Sequence, residues 1–339
     1  MAKRLSSLLQ ILALVATGFL VQAAINAKMI NPYYAHVMTV MCIFVVATVS
    51  LNLINGICGQ FSLGHAGFMA VGAYTAAMIT KNPELIVPAM ISGNARFFVA
   101  TLLGGIMAGL IGLMVGLPSL RLRGDYLAIT TLGFGEIIRI IILNWRFVGG
   151  ASGYFAIPKY TNFAWAFLLS IITIVIVRNF IQSSHGRACI SIREDEIAAE
   201  TMGIPTTRYK VIAFVIAAFF AGTAGSMMGH LNQMVTPASF SFLLSIEILL
   251  MVVLGGLGSI SGSIGAAVFL TYATEALRKF KSFRIILYSL LLILIMIFRP
   301  SGLLGTQEIS LALIKKTLTG ILDKFRGKKQ DNVPTASAE

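Results

Sequence analysis

Apolar runs of membrane-spanning length follow one another along almost the whole chain. They lie at roughly 6–26, 34–54, 66–80, 97–117, 126–143, 163–181, 210–229, 244–260, 263–277 and 284–298. No other feature restricts the possible folds as severely. Inside a bilayer no water satisfies backbone N–H and C=O groups, so a spanning chain forms helices or a closed barrel. Long continuous runs, rather than short alternating ones, select helices. The expected fold is an all-α polytopic membrane protein with about 8–10 transmembrane helices, some of them broken or re-entrant where glycine is dense. The eighth and ninth runs are separated only by a Ser-Gly-Ser stretch, which fits either two spans or one span plus a re-entrant segment. The membrane domain covers 1–305, with a cytoplasmic loop at 182–209, and a basic tail follows at 306–339.

Composition agrees. The 339 residues are 57% hydrophobic and 12% charged, against about 25% charged in soluble domains. A net charge of +13 in a soluble protein would point to nucleic acid. Here the basic residues cluster at the ends of apolar runs and in the tail, where they set topology and meet anionic lipid; membrane lipid is the expected partner and nucleic acid is not. Cys42, Cys58 and Cys189 lie in or beside apolar segments without metal-ligand spacing, which favours neither a disulfide framework nor a metal site. The N-terminal apolar run after Lys3 and Arg4 is long for a signal peptide and reads as a retained first helix. Lys and Arg in the short loops place both termini in the cytoplasm, although the basic loop at 278–284 then falls outside. The tail allows an amphipathic surface helix over 308–326, and its last ten or so residues read as disordered.

The longest charge-dense stretch between the N-terminus and the tail is QSSHGRACISIREDEIAAETMGIPTTRYK, at 182–210. Ser191 followed by Glu194 reads as a capping box. Gly203 and Pro205 read as a stop signal. Together they predict one short helix over 191–202, about 18 Å long. Such order in a cytoplasmic loop points to a soluble partner.

Three spans carry small residues on one helical face: Ala66, Ala70, Ala73 and Ala77; Gly105, Gly109, Gly112 and Gly116; Ala218, Gly222, Gly225 and Gly229. In lipid, such stripes mark close helix–helix approach, either within the bundle or at a seam with a second subunit. Two further segments, 52–67 and 255–265, hold more glycine and polar residues than packing needs. They are either surface turns or interrupted helices, the device by which transporters present backbone groups at membrane depth. Asn52, Asn55, Gln60, Ser62 and His65 belong to the first, and Gly255, Gly256, Gly258 and Ser259 to the second. Ionisable groups within spans are costly. Glu136 and Arg139, three residues apart, form either a self-neutralising pair facing the bundle interior or a gating element. His65 reads as either a hydrogen-bonded structural residue or a ligand.

No phosphate-binding GxxxxGK[ST], HExxH or GxSxG motif is present. The chain is therefore expected to be no enzyme, to hold no metal and to bind no nucleotide itself.

Four blocks in order carry a resemblance. NLINGICGQFSLGHAGFMAVGAYTAA (52–77), LPSLRLRGDYLAITTLGFGEIIRIIILN (117–144), GRACISIREDEIAAETMGIPTTRYKVIAFVIAAFFAGTAG (186–225) and VLGGLGSISGSIGAAV (253–268) resemble the LivM-type permease subunits of bacterial ABC importers for branched-chain amino acids, over about 35–305. The resemblance implies a multi-pass protein of the cytoplasmic (inner) membrane that pairs with a homologous permease, two ATPase subunits holding ATP and magnesium, and a soluble substrate-binding protein delivering the amino acid. The third block resembles the coupling loop of such permeases, whose general pattern is Glu-Ala-Ala, three residues, Gly. Ala198, Ala199 and Gly203 keep that spacing, but Ile197 stands where the glutamate is expected and Glu196 comes one residue earlier. Arg193, Glu194, Glu196, Ala198, Ala199 and Gly203 are thereby implied in ATPase coupling. Asn52, Asn55, Gln60, Ser62, His65, Glu136, Arg139, Gly255, Gly256, Gly258 and Ser259 are the candidate lining of the pathway. Urea and short-chain amide importers use near relatives of the same blocks. An autonomous ion-coupled transporter would need midplane carboxylates, which are few, and a membrane enzyme would need an assembled acid–base or metal set.

Overall fold

A computed structural model describes residues 2–82, 93–122 and 124–277, single positions at 290, 293 and 297, and side chains from residue 14 onward. The basic loop at 278–284, the tail at 306–339 and almost all of the tenth run lie outside the described residues. The other nine runs are helices. They are α1 (Ala2–Asn26), α2 (Pro32–Asn52), α3 (His65–Lys81), α4 (Gly93–Ser119), α5 (Asp125–Asn144), α6 (Phe163–Gln182), α9 (Thr206–Asn232), α10 (Phe242–Gly255) and α11 (Ile260–Ala276). Two short helices, α7 (Ser184–Glu194) and α8 (Glu196–Thr201), fill the polar loop. Among the described residues, six segments are long and apolar enough to cross a membrane: Pro32–Ile57, Gly93–Ser119, Asp125–Asn144, Phe163–Gln182, Thr206–Asn232 and Pro237–Gly255. At 17 residues each, α3 and α11 reach about 25 Å, the lower limit for a span. Among the described residues there is no strand, only an isolated bridge between Tyr154 and Val235. The protein is an all-α polytopic membrane protein.

Local chemistry sets several boundaries. Asn31 caps α2 by accepting from Tyr33 N at 2.9 Å, and Pro32 occupies the first helical position, where no intrahelical donor is needed. Asn162 caps α6 through Trp165 N at 3.0 Å.

The core of the bundle is α3, α4 and α9 packed against one another. The small-residue stripes lie inside it. Gly105, Gly112 and Gly116 face Phe219, Ala218 and Phe214 of α9, while a Cβ at Gly222 would overlap Ala108. A Cβ at Gly72 would enter the backbone of Gly222, and one at Gly225 would enter the carbonyl of Met69. The stripes are thus contacts within one chain, and a seam with a second subunit must use other faces. The reason is distance: backbones this close need glycine on at least one side, and the gain is dispersion between whole backbones in a medium without a hydrophobic driving force.

α2 is the second hub, packed against α6, α9, α10 and α11, while α1 reaches mainly α6. Tyr33 Oη donates to Glu275 Oε2 at 2.7 Å and ties the start of α2 to the end of α11.

Gly225→Val should abolish the monodisperse folded protein in detergent, because Met69 cannot withdraw its carbonyl. Gly265 has open space around its Cβ position, so Gly265→Ala should fold normally and shift stability by no more than about 1 kcal/mol. Size-exclusion profiles and thermal unfolding of the two variants test the pair.

Candidate translocation and coupling site

The two glycine-rich segments meet. α2 does not end at Asn52 but passes into a π-helical turn, Leu53–Ile57, closed by Cys58 N donating to Leu53 O at 3.2 Å. Turns of this type recur at functional sites because they leave the normal helical ladder incomplete. The chain then runs irregularly to α3. On the other side, α10 stops at Gly255, and α11 starts at Ile260 after a break whose glycines take positive φ, +103° at Gly256 and +91° at Gly258. Both breaks are largely covered by the chain itself: Asn52, Asn55, Ser62, His65 and Ser259 are all buried, while Gly59, Phe61 and Leu257 are exposed.

Asn52 joins the two breaks. Its Nδ2 donates to Ser259 O at 3.0 Å and its Oδ1 accepts from Gly258 N at 2.9 Å. One amide thus satisfies Gly258 N, which the break would otherwise leave bare, and adds a donor to Ser259 O, which Ser263 N and Oγ also reach at 3.1 and 2.9 Å. Gly56 completes the contact, since a Cβ there would overlap Gly258 N. Ser259 caps α11 through Gly262 N at 3.1 Å. Gly255 and Gly262 touch backbone to backbone where α10 and α11 fold against each other.

Within the first segment, Asn55 Oδ1 accepts from Ser62 N at 3.2 Å, and Gln60 Nε2 donates to Cys58 O at 3.3 Å. His65 Nε2 lies 3.0 Å from Ser50 Oγ. Neighbouring spans reach the start of α3: Leu63 N donates to Thr131 Oγ1 of α5 at 3.1 Å, and Ala66 N to Ser245 Oγ of α10 at 3.0 Å. His65 Nδ1 and Ser62 Oγ have no hydrogen-bond partner among the described residues.

Glu136 and Arg139 stand apart from this junction, on α5. Arg139 Nε donates to Glu136 Oε2 at 2.7 Å, so the pair forms as the sequence predicts. It does not face the bundle interior, because its side chains are 31% and 29% exposed. The reason is that α5 packs less completely than α3 or α9, leaving Ile129, Ile137, Ile140 and Ile141 exposed beside the pair. Glu136 also borders a small cleft with Ala66, Gly67, Ser241 and Ser245. Separately, an apolar cavity of about 430 Å³ between α3, α4 and α5 is lined by Tyr74, Met78, Met107, Ile141 and Trp145.

The polar loop differs from expectation in one respect. The single helix over 191–202 is two helices. Ser183, not Ser191, caps the first, accepting from Gly186 N at 3.3 Å. Ser191 Oγ instead donates back to Arg187 O at 3.1 Å, so the capping box with Glu194 is absent. Asp195 takes extended backbone and caps the second helix, its Oδ1 accepting from Ile197 N at 2.9 Å and Ala198 N at 3.0 Å. An aspartate with two amides within reach outcompetes helix continuation. The stop at Gly203 is as expected: φ is +82°, Gly203 N donates to Glu200 O at 2.9 Å and Ile204 N to Ala199 O at 3.0 Å, the double bond of a Schellman end.

The loop is strapped to the spans. Lys210 Nζ pairs with Glu196 Oε2 at 2.7 Å, with the lysine side chain 1% exposed, and Thr206 Oγ1 donates to Glu200 Oε1 at 2.9 Å. Ala199 is buried beneath this strap and Ala198 is exposed. Cys58 and Cys189, far apart in sequence, are buried side by side as free thiols. Arg193 reaches Gly56 O through Nη1 at 2.9 Å and Glu194 Oε1 through Nη2 at 2.6 Å. Two large apolar side chains also project outward, Ile197 and Met202 at 64% and 82% exposed, among exposed polar residues that include Glu194, Glu200 and Thr201. The sequence points to neither Lys210 nor the cysteine pair; the only signal was a basic residue at the start of an apolar run.

Residues 33–299 match the family described as branched-chain amino acid transport system, permease component. The LivM permease protein of the high-affinity branched-chain amino acid transport system of Salmonella typhimurium is 36% identical over 310 residues, covering 81% of this chain and 71% of that one. The Escherichia coli K12 LivM is 35% identical, covering 91% and 78%. The LivH permease protein of the same organism is 25% identical, covering 78% and 92%.

Asn52→Leu should destabilise the solubilised protein by about 1–3 kcal/mol, since it strands Gly258 N and removes one donor to Ser259 O. Asn52→Asp should cost less, because its oxygen still accepts from Gly258 N. Thermal unfolding of the two variants beside the native protein gives the order.

Proposed function

The chain belongs to the family of branched-chain amino acid transport system permease components, and on that premise we propose that it is one of two homologous pore-forming subunits of an ATP-driven importer of branched-chain amino acids. The LivM and LivH relatives are named as separate permease proteins of such systems, which supports a second, related permease as partner. Two ATPase subunits supply nucleotide chemistry, and a soluble binding protein delivers substrate on the far side. Both termini and the α7–α8 loop face the cytoplasm.

The observation that carries this reading is the two-sided construction of the loop. Glu196, Glu200 and Glu194 are bonded to Lys210, Thr206 and Arg193, while Ile197 and Met202 project outward from a polar segment. Exposed apolar side chains on a rigidly strapped helix are the anchors of a protein contact. The ATPase therefore grips α8 through Ile197, Met202 and the exposed Ala198, with Gly203 setting the angle at which α8 leaves that surface. Motion of the ATPases moves a loop fastened to α9, and through it the interrupted helices, between outward and inward access. Apart from Arg193, the side chains singled out at the breaks, Asn52, Asn55, Gln60, Ser62 and Ser259, are neutral amides and hydroxyls, which suits a zwitterion with an aliphatic side chain.

Purification from the native membrane in mild detergent tests the assembly. Two ATPases and a second permease should accompany the chain, and uptake of labelled leucine, isoleucine and valine should exceed that of urea. Recovery of the chain alone, under conditions that preserve another ABC complex, would sink the reading. Ile197→Asp with Met202→Asp should cut ATPase recovery at least tenfold while the permease pair stays intact. Gly203→Val should weaken it less, because a β-branched residue resists positive φ but removes no contact. Proline at Ile197 is a poorer probe, since that position lies in the first turn of α8, where proline is tolerated.

A further inference from the structure

Arg193 is a charged side chain of α7 that points into the membrane domain. One edge of its guanidinium, Nη1, donates to Gly56 O in the π-helical turn at 2.9 Å. The other edge, Nε and Nη2, holds Glu194 Oε1 at 3.2 and 2.6 Å, and Glu194 is 68% exposed beside α8. Two glycines make room for it. A Cβ at Gly59 would stand 2.7 Å from Arg193 Cγ, and one at Gly258 would stand 3.0 Å from Nη1. Both glycines have positive φ, +66° and +91°. A single side chain therefore lies against the π-helical turn, the irregular segment after it and the break before α11, and it starts from the last turn of α7.

We propose that Arg193 is a positioning residue for transport: it transmits movement of the coupling loop to the paired helix breaks, rather than contacting the ATPase. This rests on the importer reading above. The geometry favours transmission over simple fastening for two reasons. The loop is already fastened to α9 by Glu196–Lys210 and Glu200–Thr206, and neither of those bonds is made to a backbone group of the breaks. The partner of Arg193 is a carbonyl at the one place where α2 leaves the regular helical ladder, so a shift of the guanidinium changes which backbone groups at the break are satisfied. Glu194, on the exposed edge, sets the orientation of the fork, and planar two-edged pairing of this kind is specific to arginine.

The test is the ratio of ATP hydrolysed to amino acid taken up, measured on the complete importer reconstituted in lipid vesicles with its binding protein. Arg193→Ala should lower uptake at least tenfold and raise the ratio at least fivefold. Arg193→Lys keeps one donor for Gly56 O and loses the fork, so it should fall between. Glu194→Gln, on an exposed side chain that leaves the buried contact in place, should raise the ratio about twofold. A residue that merely fastens the loop would lower hydrolysis and uptake together, in proportion to the complex assembled. An unchanged ratio in all three variants, at whatever uptake rate, overturns the proposal. Should Arg193→Ala fail to assemble, the other two variants decide it. If the native chain recovers no ATPase at all, the importer reading fails first, and that result is distinct from a normal native complex with an unchanged variant ratio.

Discussion

Backbone groups released where a helix breaks and is then covered by its own chain have little water to turn to, and this fold is organised around answering them. Leaving one bare costs several kcal/mol. Two breaks face each other here, and the end of each supplies what the other lacks. Asn52 gives one donor and one acceptor across the gap, Ser259 caps α11, and Arg193 comes in from the loop to take Gly56 O. Glycine at 56, 59 and 258 follows from the same demand, because each lies where an approaching backbone or guanidinium leaves no volume for a Cβ.

A junction this dependent on exact approach needs a rigid frame, and the glycine seam among α3, α4 and α9 provides one. α9 is the element shared by frame and loop. Its middle is locked to α3 and α4 by Gly222 and Gly225. Its first turns hold Glu196 through Lys210, whose side chain is almost fully buried. A buried ion pair adds little net stability but strongly penalises any arrangement that separates the partners. The loop is thereby fixed in angle relative to α9.

Much of this was legible in the sequence. Nine apolar runs became helices within a few residues of their expected ends, because length and hydropathy in lipid leave little alternative. Glycine density located both breaks, and Gly203 followed by Pro205 located the end of α8. What was not legible depends on competition or on tertiary reach. Ser191 and Glu194 have the spacing of a capping box, but Ser183 starts the helix earlier and Asp195 ends it, each with a nearer amide to satisfy. The direction of Arg193 depends on space opened by glycines more than a hundred residues before it and some sixty after it, and no local pattern contains that. Glu136 and Arg139 were legible as a pair but not in their exposure, which depends on how little else packs on α5.

The departure of the loop from the general coupling pattern now has a physical account. Where that pattern carries glutamate, this chain carries Ile197, and the acid has moved one residue back to Glu196. On a helix, one residue is a rotation of about 100°, which turns the carboxylate from the outward face of α8 toward Lys210 and brings an aliphatic side chain out in its place. The acidic function is kept but used internally, to fix α8 on α9. On the proposed reading, the contact with the ATPase becomes an apolar knob formed by Ile197 and Met202. Such a contact tolerates rocking better than a directional ion pair does, because burial of apolar area is insensitive to angle. A loop whose inward bonds are directional and whose outward contact is not will transmit a pull while allowing the gripping partner to turn.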